Sequence, residues 1–168
     1  MGTFYPKKSL ISGKLIVKQA IAFENNRLDI AKAIVSIINK RVKRPPDNPM
    51  NALISFGNTL LYTKTISQIY NTHLEQSISF LHEPSEGRFS LCLDLSEVFK
   101  PAIVFKTIFD LVNNRKINIE KHFEEKLNYS LLNENGKKIF IEAFEDRLNQ
   151  TFEHPKLNRK ITYKQAIN

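Results

Sequence analysis

The stretch RPPDNPMNALISFGNTLLYTKTISQIYNT, residues 44–72, narrows the possible folds of this chain more than any other. Pro45, Pro46 and Pro49 restrict φ and donate no backbone hydrogen bond, so no helix runs through them and the chain enters from an extended connector. Asp47 or Asn48 is placed to cap a helix starting there, with Pro49 in its first turn. Residues 50–72 then hold a single charge, Lys64, and are apolar on most faces. A helix without a polar side is a central one, covered by its neighbours. Gly57 within it weakens the helix by about 1 kcal/mol relative to Ala, which close packing against another backbone explains.

The rest of the chain supplies partners at helical spacing. Leu15, Ile16, Gln19, Ala20 and Phe23 mark one short helix, and Leu28, Ile30, Ala31, Ile34, Val35 and Ile38 predict an amphipathic helix over 27–41. Downstream, SISFL at 77–81 reads as a strand stub, and Pro84 and Gly87 mark a loop. A helical pattern over 90–114 contains Pro101, which predicts a kink or two abutting helices. A short charged helix is expected at 120–128 and an extended piece at YSLL. A long helix comes next, capped by Asn133, with Phe140, Ile141, Phe144 and Leu148 on one face and His154-Pro155 at its end. Residues 160–168 start another. The expected fold class is all-α, with at most one or two strand stubs. The expected organisation is a single domain over 1–168, with a basic helical segment (1–43), a Pro-rich connector (44–49) and a core (50–168).

With 12 Phe and 19 Ile the chain is too apolar to be intrinsically disordered. Its one cysteine, Cys92, excludes an intrachain disulfide. No apolar run is long enough for a transmembrane helix, and MGTFYPKKSLISG has no signal-peptide core, so the expectation is a cytoplasmic protein with no membrane partner.

Charge is unevenly placed. The net charge is +8. Residues 1–46 carry ten basic and two acidic side chains, whereas 47–168 carry fifteen of each. A basic segment on a balanced body suits a polyanion partner, DNA, RNA or a membrane surface, ahead of a surface charged merely for solubility. Lys40, Arg41, Lys43 and Arg44, with Arg88 in the later loop, are the candidate phosphate contacts.

Five glycines leave no phosphate-cradling loop, and neither CxxC nor HExxH occurs. One cluster carries chemistry. His82 stands at the start of the loop HEPSEGRFS, and the next helix opens with Asp94 and Glu97, three apart and so on one face. Asp94 interrupts the apolar run SLCLDLSEVF, so its carboxylate needs a partner. One imidazole with two carboxylates suits Mg²⁺ or Mn²⁺ better than structural zinc. Acidic residues early in a helix also serve its dipole without any metal, and a loop histidine is commonly a surface residue. His73, His122 and His154 have no carboxylate in register and read as structural; Tyr62 and Tyr70 read as core.

The strings RVKRPPDNPMNALISFG, ISFLHEP and SLCLDLSEVFKP, in this order and spacing, resemble the CRISPR adaptation integrase family, the universal Cas-one endonuclease. NYSLLNENGKKIFIEAFEDRL and LNRKITYKQAI are similar to that family's ending. The likeness covers nearly all of residues 3–168 and is greatest to the branch accompanying type I-B systems. It implies a helical catalytic domain of a metal-dependent DNA nuclease and integrase that inserts spacers into the CRISPR array for antiviral defence. It implies double-stranded DNA, a homodimer and a small Cas-two protein as partners. The metal, Mg²⁺ or Mn²⁺, would be held by His82, by Glu97 and by a further Glu, with Asp94 at a supporting acidic position. Members are about twice this length, with an N-terminal β domain that has no counterpart here. In them the helix resembling NRLDIAKAIVSIIN is separated from RVKRPP by helices that carry the metal-binding Glu; here the two segments join directly near 38–44. Glu24 is not that Glu, and Phe105 stands where members commonly have Asp. The resemblance therefore implies a weak or inactive enzyme, in which Glu83 or Glu86 are the nearest substitutes for the missing ligand. The alternative is a non-catalytic helical remnant that binds nucleic acid or a partner.

Overall fold

Asn48 begins the central helix as its spacing predicts. It is extended (φ −150°, ψ 162°), and its side-chain oxygen accepts the Asn51 N–H at 2.8 Å, with Pro49 in the first turn. The structure, a computed structural model, describes residues 46, 48–82, 89–126, 129–154 and 157–167. The chain divides between Arg41 and Val42, and all of these residues belong to the second unit. The expected helix over 27–41, the cluster Lys40, Arg41, Lys43 and Arg44, and Glu83, Glu86 and Arg88 lie outside the described residues.

Helix α1, Pro49–Ile69, is the centre of the unit. From 53 to 69 only Thr59, Thr63 and Ser67 are exposed, four apart along one narrow stripe. The other faces pack on α2 (Ser90–Phe99), on the segment Pro101–Phe105 and on β2 (Tyr129–Leu132). The expected break at Pro101 takes the form of a π-helical step. Pro101 cannot donate, the turn widens, and Phe105 N–H reaches back five residues to the Lys100 carbonyl at 3.0 Å. The Ala102 carbonyl accepts from Arg147 Nε at 2.7 Å. Helix α3, Lys106–Asn113, continues the chain.

Gly57 sits where α1 crosses this step. A Cβ built there would lie 2.6 Å from Val104 Cγ1 and 2.9 Å from Phe140 Cζ. Neither neighbour is a flexible tip: Val104 is stiff at χ1 and both are fully buried. Gly57→Ala is expected to lower stability by about 1–2 kcal/mol, because overpacking outweighs the helix-propensity gain of about 1 kcal/mol. Urea unfolding measures it, and a variant as stable as the parent would show that the contact yields freely.

Two hairpins replace elements that the sequence suggested otherwise. The charged segment 120–128 is helical only at α4, Ile119–His122; Phe123–Lys126 is strand β1, antiparallel to β2 with Phe123 opposite Leu132. Burial of Phe123 and Leu132 overrides the helical preference of the charges between them. Helix α5, Glu134–Asn149, is capped by Asn133, whose side chain accepts from Gly136 N–H at 2.9 Å. It buries Phe140, Phe144 and Leu148 but leaves Ile141 exposed. It ends at Asn149, short of His154-Pro155, because Thr151–His154 is strand β3, paired antiparallel with β4, Arg159–Thr162. Helix α6, Tyr163–Ile167, comes last. Four short strands thus stand where one or two stubs were expected, in a fold that is predominantly helical.

Arg147 ties this end together. Its guanidinium lies 4.8 Å from the Tyr163 ring centroid, and Tyr163 stacks on Phe152 at 4.7 Å. At the other end, Ser130 N–H on β2 donates to the Pro46 carbonyl at 2.9 Å.

Candidate functional site

SISFL is not a strand: the Phe80 and Leu81 amides are spent on one side chain and the Ser77 amide on another, that of Glu75. Asp94, buried in α2, faces the segment ending at His82. Its Oδ2 accepts the N–H groups of Phe80 (2.6 Å) and Leu81 (2.9 Å). Its Oδ1 accepts the His82 N–H (3.1 Å) and the His82 ring Nδ1 (2.6 Å). The Ser79 hydroxyl donates to the His82 carbonyl, closing the turn. A carboxylate offers about four lone-pair sites, and all four of Asp94's are taken.

This arrangement has two electrostatic consequences. Burial alone would raise the Asp94 pKa, but hydrogen bonds from Leu81, the His82 ring, Phe80 and the His82 amide outweigh it and hold the carboxyl below its ordinary value. An ionised carboxylate only accepts, so Nδ1 of His82 carries a proton, the tautomer in which Nε2 is the ring's lone-pair nitrogen. The His82 side chain is 35% exposed, so this nitrogen belongs to a partly open ring.

Glu97 lies one turn beyond Asp94, but its carboxylate is ion-paired with Lys100, itself largely buried. Among the described residues no group of three or more His, Cys, Asp or Glu side chains is placed to hold a metal ion. The expected convergence of His82, Asp94 and Glu97 is therefore realised by His82 and Asp94, while Glu97 pairs along its own helix. The donor set fits a hard cation in part: Nε2 is available, Asp94 has no lone pair left, and Glu97 shares its Oε1 with Lys100.

The other candidates are structural. His122 Nδ1 accepts the Asn118 N–H at 2.9 Å, and His154 Nδ1 accepts the Leu157 N–H at 3.2 Å. Cys92 is a buried free thiol whose pKa burial pushes up, which suits a packing residue and not a nucleophile. Sequence reasoning missed Asp94's grip on three successive amides. The available signal was a carboxylate in an apolar run; the identity of its donors had none.

Residues 37–146 match the family model described as CRISPR associated protein Cas1. The chain is 49% identical over 130 residues to the CRISPR-associated endonuclease Cas1 3 of Thermodesulfovibrio yellowstonii, a match covering 77% of this chain and 40% of that relative. It is 36% identical to CRISPR-associated protein Cas1 1 of Methanobrevibacter ruminantium over 226 aligned positions, covering 99% of this chain and 70% of the relative. As 226 positions are aligned with a chain of 168 residues, at least 58 of them have no counterpart here. The family match begins at residue 37, beside the division at Arg41–Val42. Among solved structures, a Cas1 protein from Thermotoga maritima superposes with a TM-score of 0.67 at 47% identity, covering 77% of this chain and 40% of that one. The chain thus spans about 40% of the length of the Thermodesulfovibrio and Thermotoga proteins.

Proposed function

Because this chain belongs to the Cas1 family, we propose that it acts in CRISPR adaptation as the helical, DNA-binding body of an endonuclease and integrase, with the chemistry impaired. The observation that carries this reading is the hold of Asp94 on His82, which engages Nδ1 and leaves Nε2 as the ring's other nitrogen.

On this reading His82 Nε2 and Glu97 are the donors for Mg²⁺ or Mn²⁺, and Asp94 is a positioning residue behind His82. A cation held there would stabilise the charge that develops on a phosphodiester under attack by a 3′-hydroxyl or water. Two donors, one of them ion-paired, compete poorly with the water shell of a hard cation. A misplacement of about 1 Å can lower a rate on the order of 100-fold. Binding is the part of the function that residues 1–46 support, through their excess of positive charge. Double-stranded DNA, a second copy and a small Cas2-type protein are the proposed partners. No described helix is long and apolar enough to cross a membrane.

A non-catalytic remnant is the second reading, favoured by the Glu97–Lys100 pair. Purified protein incubated with branched and linear DNA in millimolar Mn²⁺ separates the two. The expected result is retained, salt-sensitive DNA binding, weak Mn²⁺ binding that is lost in His82→Ala, and little or no cleavage. Robust cleavage that disappears in His82→Ala would overturn the impairment and make Glu83 or Glu86 the replacement ligand. Manganese binding unchanged by His82→Ala would sink the assignment of the site.

A further inference from the structure

The chain holds one Asn-Gly pair, Asn135-Gly136, and it lies in the first turn of α5. The pairing is chemically labile. Asparagine is a thermolabile residue, and a following glycine has no Cβ to shield its amide nitrogen or restrict its backbone. Packing dictates the glycine: a Cβ at 136 would run into the His122 carbonyl oxygen and lie 2.7 Å from Leu132 Cδ2. Asn135 itself is exposed to water. Asn133 stands over the pair. Its Oδ1 accepts the Gly136 N–H at 2.9 Å, while its own N–H and Nδ2 donate to the His122 and Lys121 carbonyls at 3.1 and 2.9 Å. The side chain that holds the Gly136 hydrogen is therefore itself anchored to α4.

We propose that Asn135-Gly136 is a self-modification site, kept shut by the Asn133 side chain and opened by fraying of the first turn of α5. In the reaction the Gly136 backbone nitrogen attacks Asn135 Cγ. The side-chain nitrogen leaves as ammonia, taking up the hydrogen that the Gly136 nitrogen gives up, and a cyclic imide remains. Water then opens the imide at either carbonyl, to aspartate or to isoaspartate. In the closed state the hydrogen that must be lost is committed to Asn133 Oδ1. Local opening, and not global unfolding, controls the step. The pair sits at a helix end, where opening is less costly than unfolding the core. Gly136 N–H is one of the first-turn amides that no helical carbonyl serves, so the Asn133 side chain is what holds it. That side chain leans on α4, which buries none of its four residues. The product alters the fold: isoaspartate adds a carbon to the main chain beside a glycine with no room for a Cβ. Each opening that ends in reaction is thus recorded irreversibly, and it loosens α5 from α4.

Incubation of the full chain in mildly alkaline buffer, followed by mass spectrometry of the tryptic peptide ending at Lys137, tests it. Fragment spectra place the conversion of amide to acid, and an isoaspartyl carboxyl methyltransferase reports the isoaspartate. Conversion at Asn135 should be more than about 10-fold slower in the native chain than in the same chain unfolded in urea. Asn133→Ala should speed the native reaction roughly 5- to 30-fold, the factor that loss of a helix cap gives. A low urea concentration that brings the parent to the same unfolding free energy as Asn133→Ala should leave the rate nearly unchanged, because fraying exposes little surface. In the parent, with no substitution at all, the Gly136 amide should exchange its hydrogen at least about 10-fold faster than that of Leu61, buried in the middle of α1, after correction for intrinsic rates. Equal acceleration by the matched urea would assign the reaction to global unfolding and overturn the proposal. So would Asn133→Ala reacting at the parent rate, a native chain reacting as fast as the unfolded one, or Gly136 exchanging as slowly as Leu61. The site needs neither DNA nor metal, so each of these results leaves the adaptation reading untouched.

Discussion

Phe140→Ala is expected to destabilise the protein by about 3–5 kcal/mol, the range for emptying a fully buried aromatic site. The ring has no exposed surface, packs edge-on against Phe56 with centroids 5.5 Å apart, and forms the wall against which Gly57 is fitted. It therefore joins α5 to α1 through its side chain. Little can collapse into the space, because one side of it is a glycine with no side chain to move. Chemical denaturation should show a lower midpoint with an unchanged slope. A loss below about 1 kcal/mol would mean that the ring is not part of the core.

Asp94→Asn is expected to lower stability by about 3 kcal/mol and to release the segment ending at His82. Replacing one carboxylate oxygen by NH₂ sets a donor against donors: either the amides of Phe80 and Leu81 or those of His82 and its ring lose their acceptor. The carboxyl's folded-state pKa lies below its unfolded value, so its contribution is fully present above the ordinary aspartate pKa, about 3.9, and is lost as pH falls through the lower folded value. The stability gap between parent and Asp94→Asn should hold steady near neutrality and close on acidification below about pH 4. A gap independent of pH down to strong acid would show that the ionised form is not the one bonded. Hydrogen exchange at Phe80, Leu81 and His82 should accelerate in the variant while α1 stays protected.

The parts of the fold that sequence makes legible are those where one residue acts on its own backbone. Asn48 and Asn133 cap helices because their side chains reach amides three residues on, and Pro101 breaks a helix because it has no amide N–H. What sequence hides depends on distant partners. FEEK reads as helical until Phe123 is seen opposite Leu132, whose position the local pattern does not encode. Asp94 announces that it needs a partner, but backbone amides are the same in every residue, so nothing in the letters says that Phe80, Leu81 and His82 supply them. The Glu97–Lys100 pair is visible as an i,i+3 spacing. It competes with the His82 alliance, and only the tertiary fold ranks the two.

The bond from Ser130 to the Pro46 carbonyl gives the unit a mechanical inlet. Tension applied upstream of Pro46 is delivered first to β2, at a backbone position shared with the β1–β2 hairpin, and not to the tip of α1. A hairpin loaded from one strand yields pair by pair, so strain entering at this joint falls on the β1–β2 ladder before it reaches the buried contact of Phe140 with α1.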